Sequence, residues 1–154
     1  MNLCSRRIVG WAMEYNMTTA LIFHALDMAL HQRQPQSPLI HHSDRGSQYY
    51  SAGYIKLLEP YIKISMTEHS DPLENAIAER VNGILKDELL EQRFETFSEA
   101  QRKVAVAIST YNHLRPHSSI DMLTPAVAHT KSGTLKKHWK NYYSVKNGKE
   151  VTIN

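Results

Sequence analysis

The chain has 154 residues, 42% of them hydrophobic and 21% charged, with an isoelectric point near 9.0. That length suits one domain, and the apolar fraction is too high for a disordered chain. Gly and Pro at six each exclude collagen-like composition, and no apolar run approaches the ~20 residues of a membrane span. A single cysteine, Cys4, forms no internal disulfide, and the nine histidines lack the paired cysteines of a zinc finger. With no leader-like pattern at the start, a reducing, cytoplasmic setting is the expectation.

Charge is unevenly placed. Residues 1–130 carry 4 Lys and 8 Arg against 14 acids, a formal −2, whereas residues 131–154 carry 6 Lys against Glu150, a formal +5. Lysines near phosphates release condensed counterions, so a basic tail fits a polyanion partner. A solvated, poorly packed C-terminus accounts for the same charges.

Arg6–Met13 is apolar and β-branched in its middle and reads as a strand. Thr18 or Thr19 caps a helix with apolar Leu21, Ile22, Ala25, Leu26, Ala29 and Leu30, ending before Gln34-Pro35. Pro38–Asp44 has the pattern of a buried strand, and Ser51 opens a short helix that stops by Pro60. Tyr61–Met66 alternates as a strand does. Asp71-Pro72-Leu73-Glu74 is a capping box, after which Ile77, Val81, Ile84, Leu85 and Leu89 form a stripe expected to pack on a sheet. Asn75, Glu79, Asn82 and Lys86 share another face of that helix, which is also what an ordinary solvated face would show. A last long helix runs from Ser98 to about His113 and stops before Arg115-Pro116. Strand and helix alternate, the signature of an α/β domain with a largely parallel sheet.

Asp44 stands where a strand ends, and open α/β sheets place ligands at such ends. A lone Asp there also serves as a turn residue. Together with Glu79 it would offer two hard oxygen ligands for divalent cations, although a third carboxylate is usual for a two-metal site.

Several segments resemble the insertion-sequence transposases with a retroviral-integrase-like catalytic core. They are Ser5–Trp11, His41–Tyr49, Glu74–Arg80, Leu85–Glu88, Tyr111–Ser118 and Leu123-Thr124-Pro125, in the family's order and near its spacing. The resemblance spans roughly residues 5–129. It implies a ribonuclease-H-like fold and a polynucleotidyl transferase that uses Mg²⁺ or Mn²⁺ to move DNA. The second Asp and the Glu of the family's acidic triad fall on Asp44 and Glu79, and its DNA-touching lysine falls on Lys86. Arg45, Asn75, Arg80 and Arg115 join Lys86 as the expected DNA-binding set.

The first triad Asp belongs to a strand ahead of the match to Ser5-Arg6-Arg7, and these residues do not contain it. The expectation is therefore an N-terminally truncated core lacking its first strand (residues 1–130), C-terminal helices and a basic tail (131–154), inactive by itself. Partners implied are DNA and an intact transposase or its helix-turn-helix companion, with homo-oligomers open. The alternative is a non-catalytic DNA-binding or assembly module, whose DNA affinity would depend on Lys136, Lys137 and Lys140. A host ribonuclease H fits the Tyr111–Ser118 segment less well. Arg115-Pro116 breaks the helix that would align His113 with His117 for zinc. His41 and His42 point to opposite faces of a strand and read as packing residues, and His24 and His31 as surface residues. Trp11, Tyr49, Tyr50 and Tyr54 fit a core better than a base-stacking platform.

Overall fold

The computed structural model describes residues 1–138 except 17, 34–38, 45, 47, 48, 50, 59–61, 67–71 and 92. Its elements in chain order are α1 (Thr19–Arg33), β1 (Leu39–Ser43), α2 (Ala52–Leu58), β2 (Ile62–Met66), α3 (Pro72–Gly83), α4 (Phe97–Leu114) and α5 (Pro125–His129). A π-helical turn, Ile84–Leu89, extends α3, and a 3₁₀ turn, Ser118–Ile120, follows α4.

β1, α2 and β2 form a parallel β-α-β unit in register Leu39↔Ile62 through Ser43↔Met66. Leu26 of α1 with Tyr54 and Leu58 of α2 make its core, against which Ile22, Phe23, Leu30, Ile62 and Ile64 pack. Both helices cover one face of the sheet. Alternation then leaves Ile40 (73% exposed) and His42 on the other side, so β1 is a half-covered strand and not the fully buried one its apolar start suggests.

The opening segment departs from expectation. Residues 6–14 carry no regular secondary structure and belong to no ladder. β propensity alone does not make a strand, which requires a neighbouring backbone to pair with. Here a side chain stands in for one: Asn112 of α4 accepts from the Ile8 N–H and donates to the Ile8 carbonyl, both at 3.0 Å. Gly10 lies so close to α1 that a Cβ there would sit 2.0 Å from the Ala25 carbonyl oxygen.

The stripe on α3 also packs elsewhere than predicted. Val81 and Ile84 close a second core with fully buried Tyr111 of α4, joined by Ile8, Leu85 and Leu89. Ile77 is left 36% exposed. α4 starts where Thr96 accepts from the Glu99 N–H (3.1 Å) while Glu99 accepts from the Glu95 N–H (3.0 Å), a capping arrangement that fixes its first turn. Part of the tail is docked: Asp121 N–H donates to the Lys136 carbonyl and His138 N–H to the Ser118 carbonyl, each at 2.7 Å. A His138–Asp121 contact of 2.6 Å reinforces the pair. No described helix is long and apolar enough to cross a membrane.

Candidate functional site

Asp44 follows the last residue of β1 and is exposed. Its Oδ1 accepts from the Gly46 N–H at 3.0 Å, and the Gly46 carbonyl accepts from the Tyr49 N–H, so a tight turn orients the carboxylate. Burial, with the Asp44 carboxylate as a further cause, raises the pKa of the Tyr49 phenol. Arg45 lies outside the described residues.

Glu79, Arg80 and Asn82 are exposed on α3, and Lys86 is exposed on the π-helical turn. That wider turn breaks the plain α-helical register on which the Asn75–Lys86 face was drawn. Asn75 sits on α3, its side chain outside what is described. Arg115, just past α4, is ion-paired with Glu88, its Nη2 donating to Oε1 at 3.1 Å.

Asp44 and Glu79 arise from elements belonging to the two different cores, and no hydrogen bond joins them. Among the described residues no group of three or more His, Cys, Asp or Glu side chains gathers as a metal cage. The donor chemistry still suits a hard cation: both groups are exposed carboxylates, and Gly46 engages only one oxygen of Asp44.

The histidines and tyrosines take ordinary roles. His41 Nε2 pairs with the Tyr54 hydroxyl at 2.9 Å, and His42 Nδ1 with Ser65 Oγ at 3.1 Å. Burial lowers the His41 pKa and raises that of Tyr54. Tyr54 is core and Tyr49 packs on it, while Tyr50 lies outside the described residues. His24 and His31 are exposed. His113 pairs with the Ser109 carbonyl, whereas His117 lies beyond the helix end with its ring 4.9 Å from that of Tyr111.

One cluster escaped the sequence reading. The Tyr111 and His117 rings meet, and Arg6 reaches the same loop through Ser119 Oγ although more than a hundred residues separate it from them. The signal was present only as the motifs Ser5-Arg6-Arg7 and Tyr111–Ser118, with no spacing rule to link them. Asn112, which clamps Ile8, was missed for the same reason.

Two family models, each described as an integrase core domain, match residues 1–72 and 61–125 and together span most of the chain. The transposase for insertion sequence element IS904 of Lactococcus lactis is 37% identical over 128 residues, covering 81% of this chain and 51% of that protein. An uncharacterized 31 kDa protein of insertion element IS600 from Shigella sonnei is 39% identical over 127 residues, covering 80% of this chain and 47% of the relative. The chain thus spans about half the length of the curated relatives it matches. Among solved structures, the catalytic core domain of BIV integrase superposes with TM-score 0.52 at 23% identity, covering 74% of this chain and 72% of that one. A simian T-cell lymphotropic virus intasome chain gives 0.61 at 20% identity, covering 86% and 47%. These likenesses establish the ribonuclease-H-like, integrase-core fold. The chain belongs to the integrase-core family, with insertion-sequence transposases as its relatives.

Proposed function

We propose that these 154 residues contribute Asp44 and Glu79 to a metal-dependent site for DNA strand transfer, and that alone they bind DNA without completing the reaction. The observation that carries this is Asp44 held by the Gly46 N–H at the end of a parallel strand within an integrase-core match. A hard divalent cation at these carboxylates would activate the attacking oxygen and stabilise the leaving one. Asp44 and Glu79 would hold it, while exposed Arg80 and Lys86, with Arg45, Asn75 and Arg115, would meet DNA phosphates. Two carboxylates are too few to align a nucleophile with phosphorus, which is why the isolated polypeptide is proposed to be inactive. Its partner would be an intact transposase or helix-turn-helix companion, or a second copy, which supplies what the two acids lack.

Mn²⁺ titration followed by NMR tests the metal seat. Paramagnetic broadening is expected around both Asp44 and Glu79, weakened by either Asp44→Asn or Glu79→Gln. Broadening at only one acid, or elsewhere, overturns the shared seat. Metal-dependent nicking of DNA by the native 154 residues, lost in Glu79→Gln, would overturn the proposed inactivity.

A second reading, a non-catalytic DNA-binding module, draws on the docked tail, whose Lys136 backbone is fixed to Asp121. It requires DNA affinity that survives Asp44→Asn and collapses when Lys136, Lys137 and Lys140 are neutralised; Lys140 lies outside the described residues.

A further inference from the structure

Residues 117–123, between α4 and α5, form a turn closed on itself. The His117 N–H donates to the Leu123 carbonyl at 3.0 Å, and the His117 carbonyl accepts from the Ile120 and Met122 N–H groups at 3.1 and 3.0 Å. Buried Ile120 roots the turn in the protein. Two further backbone groups of the turn, the Ser118 carbonyl and the Asp121 N–H, are taken by the His138 N–H and the Lys136 carbonyl, each at 2.7 Å. The chain returns to them after α5 through Gly133, whose φ of +84° suits glycine. Both peptide groups that flank Lys137 are thereby fixed.

A side-chain pair locks this contact, with Asp121 Oδ1 2.6 Å from His138 Nε2. Asp121 and Met122 are consecutive non-glycine residues in the left-handed region, at φ +61° and +57°. Asp tolerates that conformation better than most residues and Met does not, and such backbone persists where its surroundings impose it.

The position of Asp121 in the sequence makes its use informative. It is the only acid between Glu99 and Glu150, and the six lysines of residues 131–154 follow it. Lys131, Lys136 and Lys137 are exposed. By charge alone, an acid in such company weakens attraction for phosphates. Asp121 instead engages the residue that follows two of these lysines. A surface ion pair adds little to stability, so its weight here lies in order. A lysine on a fixed backbone loses less freedom on meeting a phosphate than one on a loose chain.

We propose that Asp121 and His138 form a clasp that presents Lys136 and Lys137 as a preformed contact for the phosphate backbone of duplex DNA. Both clasp residues are positioning residues, and the lysines make the contact. The proposal rests on the reading that this chain binds DNA, and it makes the start of the basic tail a fixed part of the interface.

The sign of one substitution tests this. Duplex affinity of the 154-residue protein is measured by fluorescence anisotropy across a salt series, and amide hydrogen exchange reports on the clasp. Asp121→Gly removes the acid and leaves a residue that accepts a φ of +61°. Charge alone would make the variant bind duplex more tightly. The clasp predicts binding weakened about threefold, with faster exchange at the His138 amide. Lys136→Gln combined with Lys137→Gln is expected to reduce the salt slope by about two. Asp27→Asn, which removes an exposed acid from an ordinary pair with His31 on α1, should not weaken binding.

Equal or tighter binding by Asp121→Gly, or weakening no greater than in Asp27→Asn, overturns the clasp. So does an unchanged salt slope in the double lysine variant. If Asp121→Gly fails to fold, His138→Ala opens the same contact from the other side, and native affinity in that variant overturns the clasp. Variants that weaken binding to polyglutamate while leaving duplex binding unchanged assign the lysines to an acidic protein partner and overturn the DNA contact. A native protein that binds no duplex overturns the DNA reading beneath the proposal, whereas native and variant proteins that bind duplex equally overturn the clasp alone.

Discussion

Leu26, Tyr54 and Leu58 bind α1 and α2 to the parallel strands, whereas Val81, Ile84 and Tyr111 bind α3 to α4 with Ile8 between them. Polar groups are handled differently in the two regions. Beside the sheet, His41 Nδ1 and Ser43 Oγ are buried without a partner, and one sheet face is open at Ile40. In the helical region Tyr111 Oη and His117 Nε2 are buried without a partner too, but there Thr96 caps α4 and Asn112 satisfies both backbone groups of Ile8. Asp44 belongs to the first region and Glu79 to the second. A site that needs both acids therefore depends on how firmly two cores are coupled, and on neither core alone.

The largest expected effect comes from Tyr111→Ala, which empties the centre of the helical core and should cost about 3–5 kcal/mol in equilibrium unfolding. If circular dichroism and tyrosine fluorescence still report one coincident transition in this variant, the two cores unfold as a unit. A split transition would show them to be separable. A smaller effect is expected from Asn112→Ala, roughly 2 kcal/mol, because two hydrogen bonds are lost and the Ile8 backbone is left unpaired. Hydrogen exchange at the Ile8 amide should rise in that variant well beyond the rise at amides within α2. Equal increases at both places would tie the opening segment to the sheet core as closely as to α4.

The mildest effect is a pH dependence. Burial holds His41 below its usual 6.5, with Tyr49, Tyr54, His42 and the Met1 amino group around it. The unfolded chain then takes up the proton first, so His41 contributes stability that is full above about pH 6.5 and is lost as pH falls through its folded value. Melting temperatures should fall on acidification, and less so in His41→Gln. Identical pH profiles for the two proteins would show that His41 does not contribute to the effect.

Much of this molecule was legible where local chemistry sets a boundary. Pro35 and Pro60 end helices, Arg115-Pro116 terminates α4, and alternation marks β2, because these effects act within a few residues. What stayed hidden depends on distant partners. Residues 6–14 have the composition of a strand, yet whether they join a sheet is decided by what lies beside them. The π-helical turn at Ile84–Leu89 has no composition cue, and the α3 stripe could not announce that it would meet Tyr111. Of the candidate site, Asp44 and Glu79 were readable through motif resemblance, whereas the convergence of Arg6 with His117 required the folded chain.

The missing methyl at Gly10 has a reach larger than its size. Because nothing bulkier than hydrogen fits between that residue and the Ala25 carbonyl, the opening segment acts as a shim that sets the height of α1. Leu26 on the same helix touches Tyr54, and the Tyr54 hydroxyl grips His41, three residues before Asp44. One added carbon at position 10 would lift α1, and the displacement would be handed along this relay to the strand end that carries the carboxylate.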